Sequence, residues 1–162
     1  METATMLPAD IDSLYKAHAD AVYRSAWRLL GRAEDAEDVL QTVFLRFLRR
    51  DTSRENVAAP EYYLRRSAVN AALDLLRSRQ RTASPKLSLE DLKQDPSMAG
   101  QQELRESLRA ALGRLDPKWA EIFTLRYIEG LGNQEIAKLL DMSQAMVAVT
   151  LFRCRQKLQQ EL

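Results

Sequence analysis

One cysteine, one histidine, five glycines and five prolines are present among the 162 residues of this chain, and each scarcity excludes something. A single thiol, Cys154, leaves no intramolecular disulfide and no cysteine-based metal site. His18 stands alone beside an apolar helix face, the setting of a packed or surface histidine rather than a ligand. Little Gly and Pro, with Ala, Leu, Arg, Glu and Gln between them, favours helix almost throughout. Charge of one sign is lacking too: the formal net charge is +1, so any basic surface must be local. No apolar run approaches the length of a membrane span, and the opening METATMLPAD has neither the basic start nor the apolar stretch of a signal peptide. The expectation is a cytoplasmic protein with no membrane insertion. Hydrophobic residues at 46% and charged residues at 29% are the balance of a globular chain. The length suits one medium domain or two small ones.

What is present is helical periodicity. Ile11, Leu14, Tyr15, Val22, Ala26, Leu29 and Leu30 fall three or four apart on one face, and Gly31 supplies a stop. Ala36, Val39, Leu40, Val43, Phe44, Phe47 and Leu48 form a second stripe, with Glu34, Asp35, Glu37 and Asp38 loading the first turn, where the helix dipole favours acids. Residues 51–59 have turn chemistry. Pro60 suits the first position of a third helix, which runs to about Arg79 and buries Leu64, Ala68, Ala72, Leu73 and Leu76. Residues 82–101 hold Pro85, Pro96, several serines and Gly100, and read as a linker with one short turn near Leu89. Helices resume with Leu104, Leu108, Leu112 and Leu115. Asp116-Pro117 reads as a cap and first position before a helix burying Ile122, Phe123 and Tyr127. The fold expected is all-α: two small helical domains, 1–81 and 102–162, joined by a flexible linker over 82–101. The first has three to four helices and the second has four.

The strongest local signal is Asn133 to Leu158. Asn133 is expected to cap a short helix ending at Leu140, Asp141-Met142 to turn, and Ser143 to cap a longer last helix. Ala137 allows close approach, and Ile136, Leu140, Val147 and Leu151 fill the wedge. That is a helix-turn-helix, whose second helix lies in a major groove. The second helix of the chain offers Glu34, Asp35, Glu37, Asp38 and Gln41 beside its apolar stripe. Either this is a solvated face with helix capping, or it meets a basic partner. With no histidine or cysteine near these carboxylates, acid–base or metal chemistry has little to work with. The third helix and its tail carry Arg65, Arg66, Arg77, Arg79 and Arg81 against Glu61 and Asp74. Arginines meet phosphates and aromatic faces stack unpaired bases, so Tyr62, Tyr63 and these arginines have the composition of a single-strand platform. Tyr63 reads equally well as a core or staple residue.

The segment ALGRLDPKWAEIFTLRYIEGLGNQEIAKLLDMS resembles the second conserved domain of bacterial sigma factors. AEDAEDVLQTVFLRFLRR resembles the helix by which they dock on the polymerase clamp, and YYLRRSAVNAALDLLRSRQR their promoter-melting helix, with its Asn70, Asp74, Arg77 spacing. The two matches occur in order across nearly the whole chain. With no further domain at either end, the resemblance is to the extracytoplasmic-function class. It implies a transcription initiation factor that binds core RNA polymerase and promoter DNA, without cofactor, metal or catalytic activity, and under the control of an anti-sigma regulator. By resemblance, Asp35, Glu37, Asp38 and Gln41 meet the clamp. Ser53, Arg54, Asn56, Tyr62, Arg65, Arg66, Asn70 and Arg77 serve the minus-ten element, with 53–57 forming a pocket for a flipped base.

The recognition helix departs from the family pattern. Gln144, Ala145, Met146, Ala148, Val149 and Phe152 make a groove face that is nearly all apolar, so bidentate arginine–guanine readout from its first turns is impossible. Three explanations compete. The helix reads thymine methyls and DNA shape, with Gln144 as the one base-edge group. Or it is covered by a partner or a second copy, since continuous apolar patches mark interfaces. Or minus-thirty-five contact is weak, with Arg153, Arg155 and Lys157 touching only phosphates. The alternative to an initiation factor is therefore a sigma-like adaptor or decoy that binds protein through this helix. Trp27 and Trp119 read as core or interface anchors, and Cys154 as a semi-buried inert thiol.

Overall fold

The computed structural model describes residues 8–49, 60–82 and 99–162. Among these are seven helices and no strand: α1 (Pro8–Leu30), α2 (Ala33–Arg49), α3 (Pro60–Arg81), α4 (Ala99–Arg114), α5 (Pro117–Tyr127), α6 (Asn133–Leu140) and α7 (Gln144–Glu161). The expected loop at 51–59 and nearly all of the expected linker lie outside the described residues.

The first three helices form one bundle. Val22, Ala26, Leu29 and Leu30 of α1, the α2 stripe from Ala36 to Phe47, and Leu64, Ala68, Ala72, Leu73 and Leu76 of α3 are buried, with Leu40 only partly so. Gly31 ends α1 at φ +69°, a left-handed conformation that glycine takes without strain. Two ends of the expected stripes are corrected. Leu48 and Tyr15 are exposed, although the Tyr15 ring lies edge-on to Phe44 at 4.9 Å. Leu48 sits in the last turn of α2, exposed like Gln41 and Leu45, while its neighbour Phe47 is the buried one.

The C-terminal helices keep the caps legible in the sequence. Asp116 accepts from the Lys118 N–H at 3.0 Å with Pro117 at the first position of α5, and Ser143 Oγ accepts from the Met146 N–H at 3.1 Å to start α7. Asn133 is not the cap of α6. Gly132 holds that position, and the Glu135 side chain reaches back to its N–H at 3.4 Å. Glycine has no side chain to accept from the first turn, and Glu135 supplies only the other half of a capping box, accepting from the N–H of the cap residue itself. Asp141 takes the left-handed turn between the two helices at φ 52°. Ile136, Ala137, Leu140, Val147 and Leu151 are buried between α6 and α7 as expected. Tyr127 is exposed, contrary to expectation, because it lies in the last turn of α5 with its ring tilted against Phe123.

The two bundles press on each other along α3. Helix α4 packs chiefly against α3, and α5 touches α3 as well. The buried side chains of both halves form one continuous core. Gly113 in α4 allows the closest approach. A Cβ there would stand 2.7 Å from Gln80 Cγ and 2.9 Å from the Leu76 carbonyl oxygen, distances no side chain accepts. Arg109 crosses the seam to donate to the Leu29 carbonyl at 2.8 Å, satisfying an acceptor left open at the end of α1.

Cys154 is fully buried on α7, its Sγ 3.5 Å from the Trp119 carbonyl oxygen. Burial first, then Asp116, raises its pKa from 9.0 to about 11, against a smaller lowering by Arg155. The unfolded thiol ionises first, so the contribution of this group to stability is complete below about pH 9 and is lost as pH rises toward 11. We expect thiol alkylation at pH 8 only when denaturant unfolds the domain. Alkylation of the native protein at the rate of the denatured one would show that Cys154 is accessible.

Candidate nucleic-acid interface

The acids of α2 divide into two sets. Asp35 is largely buried and accepts from Arg79 Nη2 of α3 at 2.6 Å, so it ties two helices of the first bundle together. Glu37, Asp38 and Gln41 are exposed. One and two turns further, Leu45 and Leu48 are exposed as well, which extends that face into a mixed acidic and apolar strip. Sequence reasoning missed Leu45, whose helical phase lies off the core stripe and should have been read as outward.

The arginines of α3 are largely engaged. Asp74 and Arg77 form an exposed ion pair one turn apart, with Asn70 half-buried one turn earlier. Arg66 makes a two-pronged contact with Glu121 of α5, Nε to Oε2 at 3.1 Å and Nη2 to Oε1 at 3.4 Å. Arg65 donates from Nε to Oε2 of Glu129 at 2.8 Å and from Nη2 to the Glu129 backbone carbonyl at 2.9 Å. Two groups of α1 converge on the same Glu129 oxygen: Ser25 Oγ at 2.9 Å and Arg28 Nη1 at 3.1 Å. The Glu129 side chain is 0% exposed, and its other oxygen, Oε1, is buried with no hydrogen-bond partner. Arg81 is exposed, and so is Tyr62, one turn before Arg65 and Arg66. Tyr63 is half-buried and packs on Phe47 with ring centroids 5.9 Å apart. Ser53, Arg54 and Asn56 lie outside the described residues.

Glu121, Glu129, Ser25 and Arg28 had no sequence signal. Arg65 and Glu129 are 64 positions apart, on elements whose mutual placement no periodicity encodes. A cavity of about 180 Å³ between α1 and α3 is lined by His18, Arg24, Arg28, Glu61 and Arg65 among others, so His18 borders a polar pocket.

The outward face of α7 is bare. Gln144, Ala145, Ala148, Arg153 and Arg155 are exposed, with Met146 at 52%, Val149 at 42% and Phe152 at 53%. Arg155 donates to the Tyr127 hydroxyl of α5, so it is oriented by its own domain. A face of this kind has methyl and methylene groups for thymine methyls and almost no donors for base edges. Among the described residues no group of His, Cys, Asp and Glu could hold a metal ion, and no helix is long and apolar enough to cross a membrane. Trp27 is half-exposed on α1, an outward-facing anchor rather than a core residue.

Comparison with known proteins agrees with this layout. Residues 14–82 match the family model for Sigma-70 region 2, and residues 105–158 that for Sigma-70, region 4. The chain is 35% identical over 154 residues to the ECF RNA polymerase sigma factor SigE of Mycolicibacterium smegmatis, covering 91% of this chain and 59% of that protein. It therefore spans less than two thirds of that relative's length. It is 32% identical over 153 residues to the RNA polymerase sigma-E factor of Streptomyces avermitilis, covering 94% of this chain and 85% of the relative. The sigma factor RpoE of Bartonella quintana, solved in complex with the anti-sigma factor NepR, shares the fold with a TM-score of 0.55, 18% identity, and coverage of 94% of this chain and 96% of that one. With both regions present in order on one helical scaffold, the chain belongs to the extracytoplasmic-function sigma factors of the sigma-70 family.

Proposed function

We propose that this protein carries core RNA polymerase to promoters in the cytoplasm, without catalysis of its own, by dividing the task between its two halves. Residues 1–81 bind the polymerase and open the minus-ten element, the segment ahead of α4 links the halves (the linker expected over 82–101 gives way to helix at Ala99), and the helices from α4 onward rest on duplex DNA upstream at minus thirty-five. The observation that supports this most is the pairing of regions 2 and 4 in one chain. An anti-sigma protein is the expected regulator, as the Bartonella relative was solved with one.

In this reading Glu37, Asp38 and Gln41, with Leu45 and Leu48 beside them, meet the polymerase. Asp35 serves by fixing α2 on α3. Asp38→Arg is expected to weaken core polymerase binding at least tenfold, with the helical circular dichroism spectrum unchanged. Pull-down affinity equal to wild type would remove α2 from the polymerase interface.

Arg65 and Arg66, with Tyr62 and Arg77, contact the opened strand. Every phosphate that a variant no longer neutralises lowers the salt slope of single-strand binding by roughly 0.7. Replacing Arg65 and Arg66 by Ala should therefore reduce open-complex formation and flatten its dependence on salt. Permanganate reactivity of the melted region identical to wild type would exclude this role.

For α7, the apolar face formed by Ala145, Met146, Ala148, Val149 and Phe152 touches thymine methyls, Gln144 a base edge, and Arg153 and Arg155 the phosphates. Duplex binding is then weak, strongly salt-dependent and biased to A·T-rich sites. The exposed Met146, Val149 and Phe152 favour one second reading, an adaptor or decoy that binds protein there. Ala148→Lys separates the two. A DNA reader keeps or increases its affinity for labelled duplex and remains monomeric in sedimentation. A protein-binding surface gives up its partner or its self-association on the same substitution.

A further inference from the structure

We propose that Tyr127 is a positioning residue for duplex binding: its hydroxyl holds Arg155 of α7 ready for a DNA phosphate while leaving the guanidinium its full charge. This rests on the reading of α7 as the duplex-facing helix, and it adds to that reading a residue from a different helix.

Arg155 follows Ala148 by seven positions and Phe152 by three, so the helical repeat sets all three on one face of α7. It stands where the apolar part of that face gives way to the cations Arg153, Arg155 and Lys157. Arg153 and Lys157 have no side-chain partner among the described residues, whereas Arg155 Nη1 donates to the Tyr127 hydroxyl of α5.

The nature of that partner carries the inference. Arg65, Arg66, Arg79 and Arg114 are held by carboxylates, which offset their charge as they orient them. A phenol is neutral. It fixes one edge of the guanidinium and leaves the remaining N–H donors, with the whole positive charge, for an anion. Tyr127 is held in turn, although 47% of it is exposed. Its ring leans on Phe123 with centroids 4.9 Å apart, and the Arg126 guanidinium lies 5.8 Å from the ring centre. Arg126 itself donates to the Leu131 carbonyl at 3.4 Å. A relay of side chains therefore runs from the turn ahead of α6, through the end of α5, to the outward face of α7. Contacts between exposed groups add little to stability, so what this one contributes is geometry. A free arginine gives up its rotamers when it meets a phosphate; one already held has given them up on folding.

The test measures binding of the full chain to a fluorescein-labelled A·T-rich duplex by anisotropy across a salt series. Tyr127→Phe removes only the hydroxyl and keeps the ring on Phe123, so the circular dichroism melt should match wild type. Its duplex affinity is expected to fall about fivefold, the cost of ordering one long side chain on binding, with the salt slope unchanged because Arg155 still reaches its phosphate. Arg155→Ala should weaken binding further and reduce the slope by about 0.9, the signature of one phosphate no longer neutralised. On the Arg155→Ala background, Tyr127→Phe should change affinity by less than about twofold, the limit for independent sites. A hydroxyl that merely stabilised the domain, or touched the DNA itself, would instead cost the same on both backgrounds, and that result overturns the proposal. Wild-type affinity in Tyr127→Phe, with Arg155→Ala weakened, overturns the positioning role and leaves the reading of α7 standing. Wild-type affinity and slope in Arg155→Ala overturn both, since Arg155 then meets no phosphate.

Discussion

Helix α3 is shared by both halves of the molecule, and the placement of every C-terminal helix depends on how α4 and α5 sit against it. That seating is set by Gly113. Where α4 crosses α3 the backbones come so close that one added carbon would meet the Leu76 carbonyl oxygen. With the helices at that separation, Arg109 reaches the end of α1, Glu121 meets Arg66, and Glu129 is carried into the first bundle among Ser25, Arg28 and Arg65. Apolar burial drives the approach, and the ion pairs fix its register.

The polar part of this seam is a poor source of stability, and that matters for what it can do. A buried ion pair recovers its desolvation cost only when every lone pair is satisfied, and Glu129 Oε1 is not. Arg28 and Arg65 keep 42% and 25% of their side-chain surface exposed, so they rehydrate easily on opening. The contact between the halves is therefore of the specific but breakable kind usual between domains of one chain. In the interior of either bundle, the same carboxylate would have been a defect.

Local features of the fold were legible in the sequence; meetings between distant elements were not. Val39, Val43, Phe44 and Phe47 announce the α2 stripe by spacing alone, and Asp116-Pro117 and Ser143 announce two helix starts, because capping is settled within four residues. Asn133 misled for the same reason: it has the chemistry of a cap, but Gly132 with Glu135 reaching back does that work one position earlier. Leu48 and Tyr127 failed at the ends of their stripes, in the last turn of a helix where spacing alone does not decide which side chain is covered. Of the site residues, Glu37, Asp38, Gln41 and the α7 face appear as surface, matching their pattern. Asp35, Arg65 and Arg66 turned out to be engaged with Arg79, Glu129 and Glu121. Gly113 was unreadable as a contact point, since a glycine in a helix declares nothing until its neighbour is known.

The two surfaces proposed for nucleic acid differ in how the fold leaves them. The arginines at the start of α3 are held by region-4 carboxylates, whereas Gln144, Ala145, Ala148, Val149 and Phe152 on α7 remain open. In this structure the outward face of α7 is open, while the first two arginines of α3 are paired. The apolar character of α7 then has a physical consequence. A face that gains little from base edges cannot by itself tie the protein to one site, because each missing bidentate pair forgoes about 1–3 kcal/mol of discrimination. Under the reading proposed above, arginine contacts to phosphate cannot make up that difference, because they position the nucleic acid without reading its sequence.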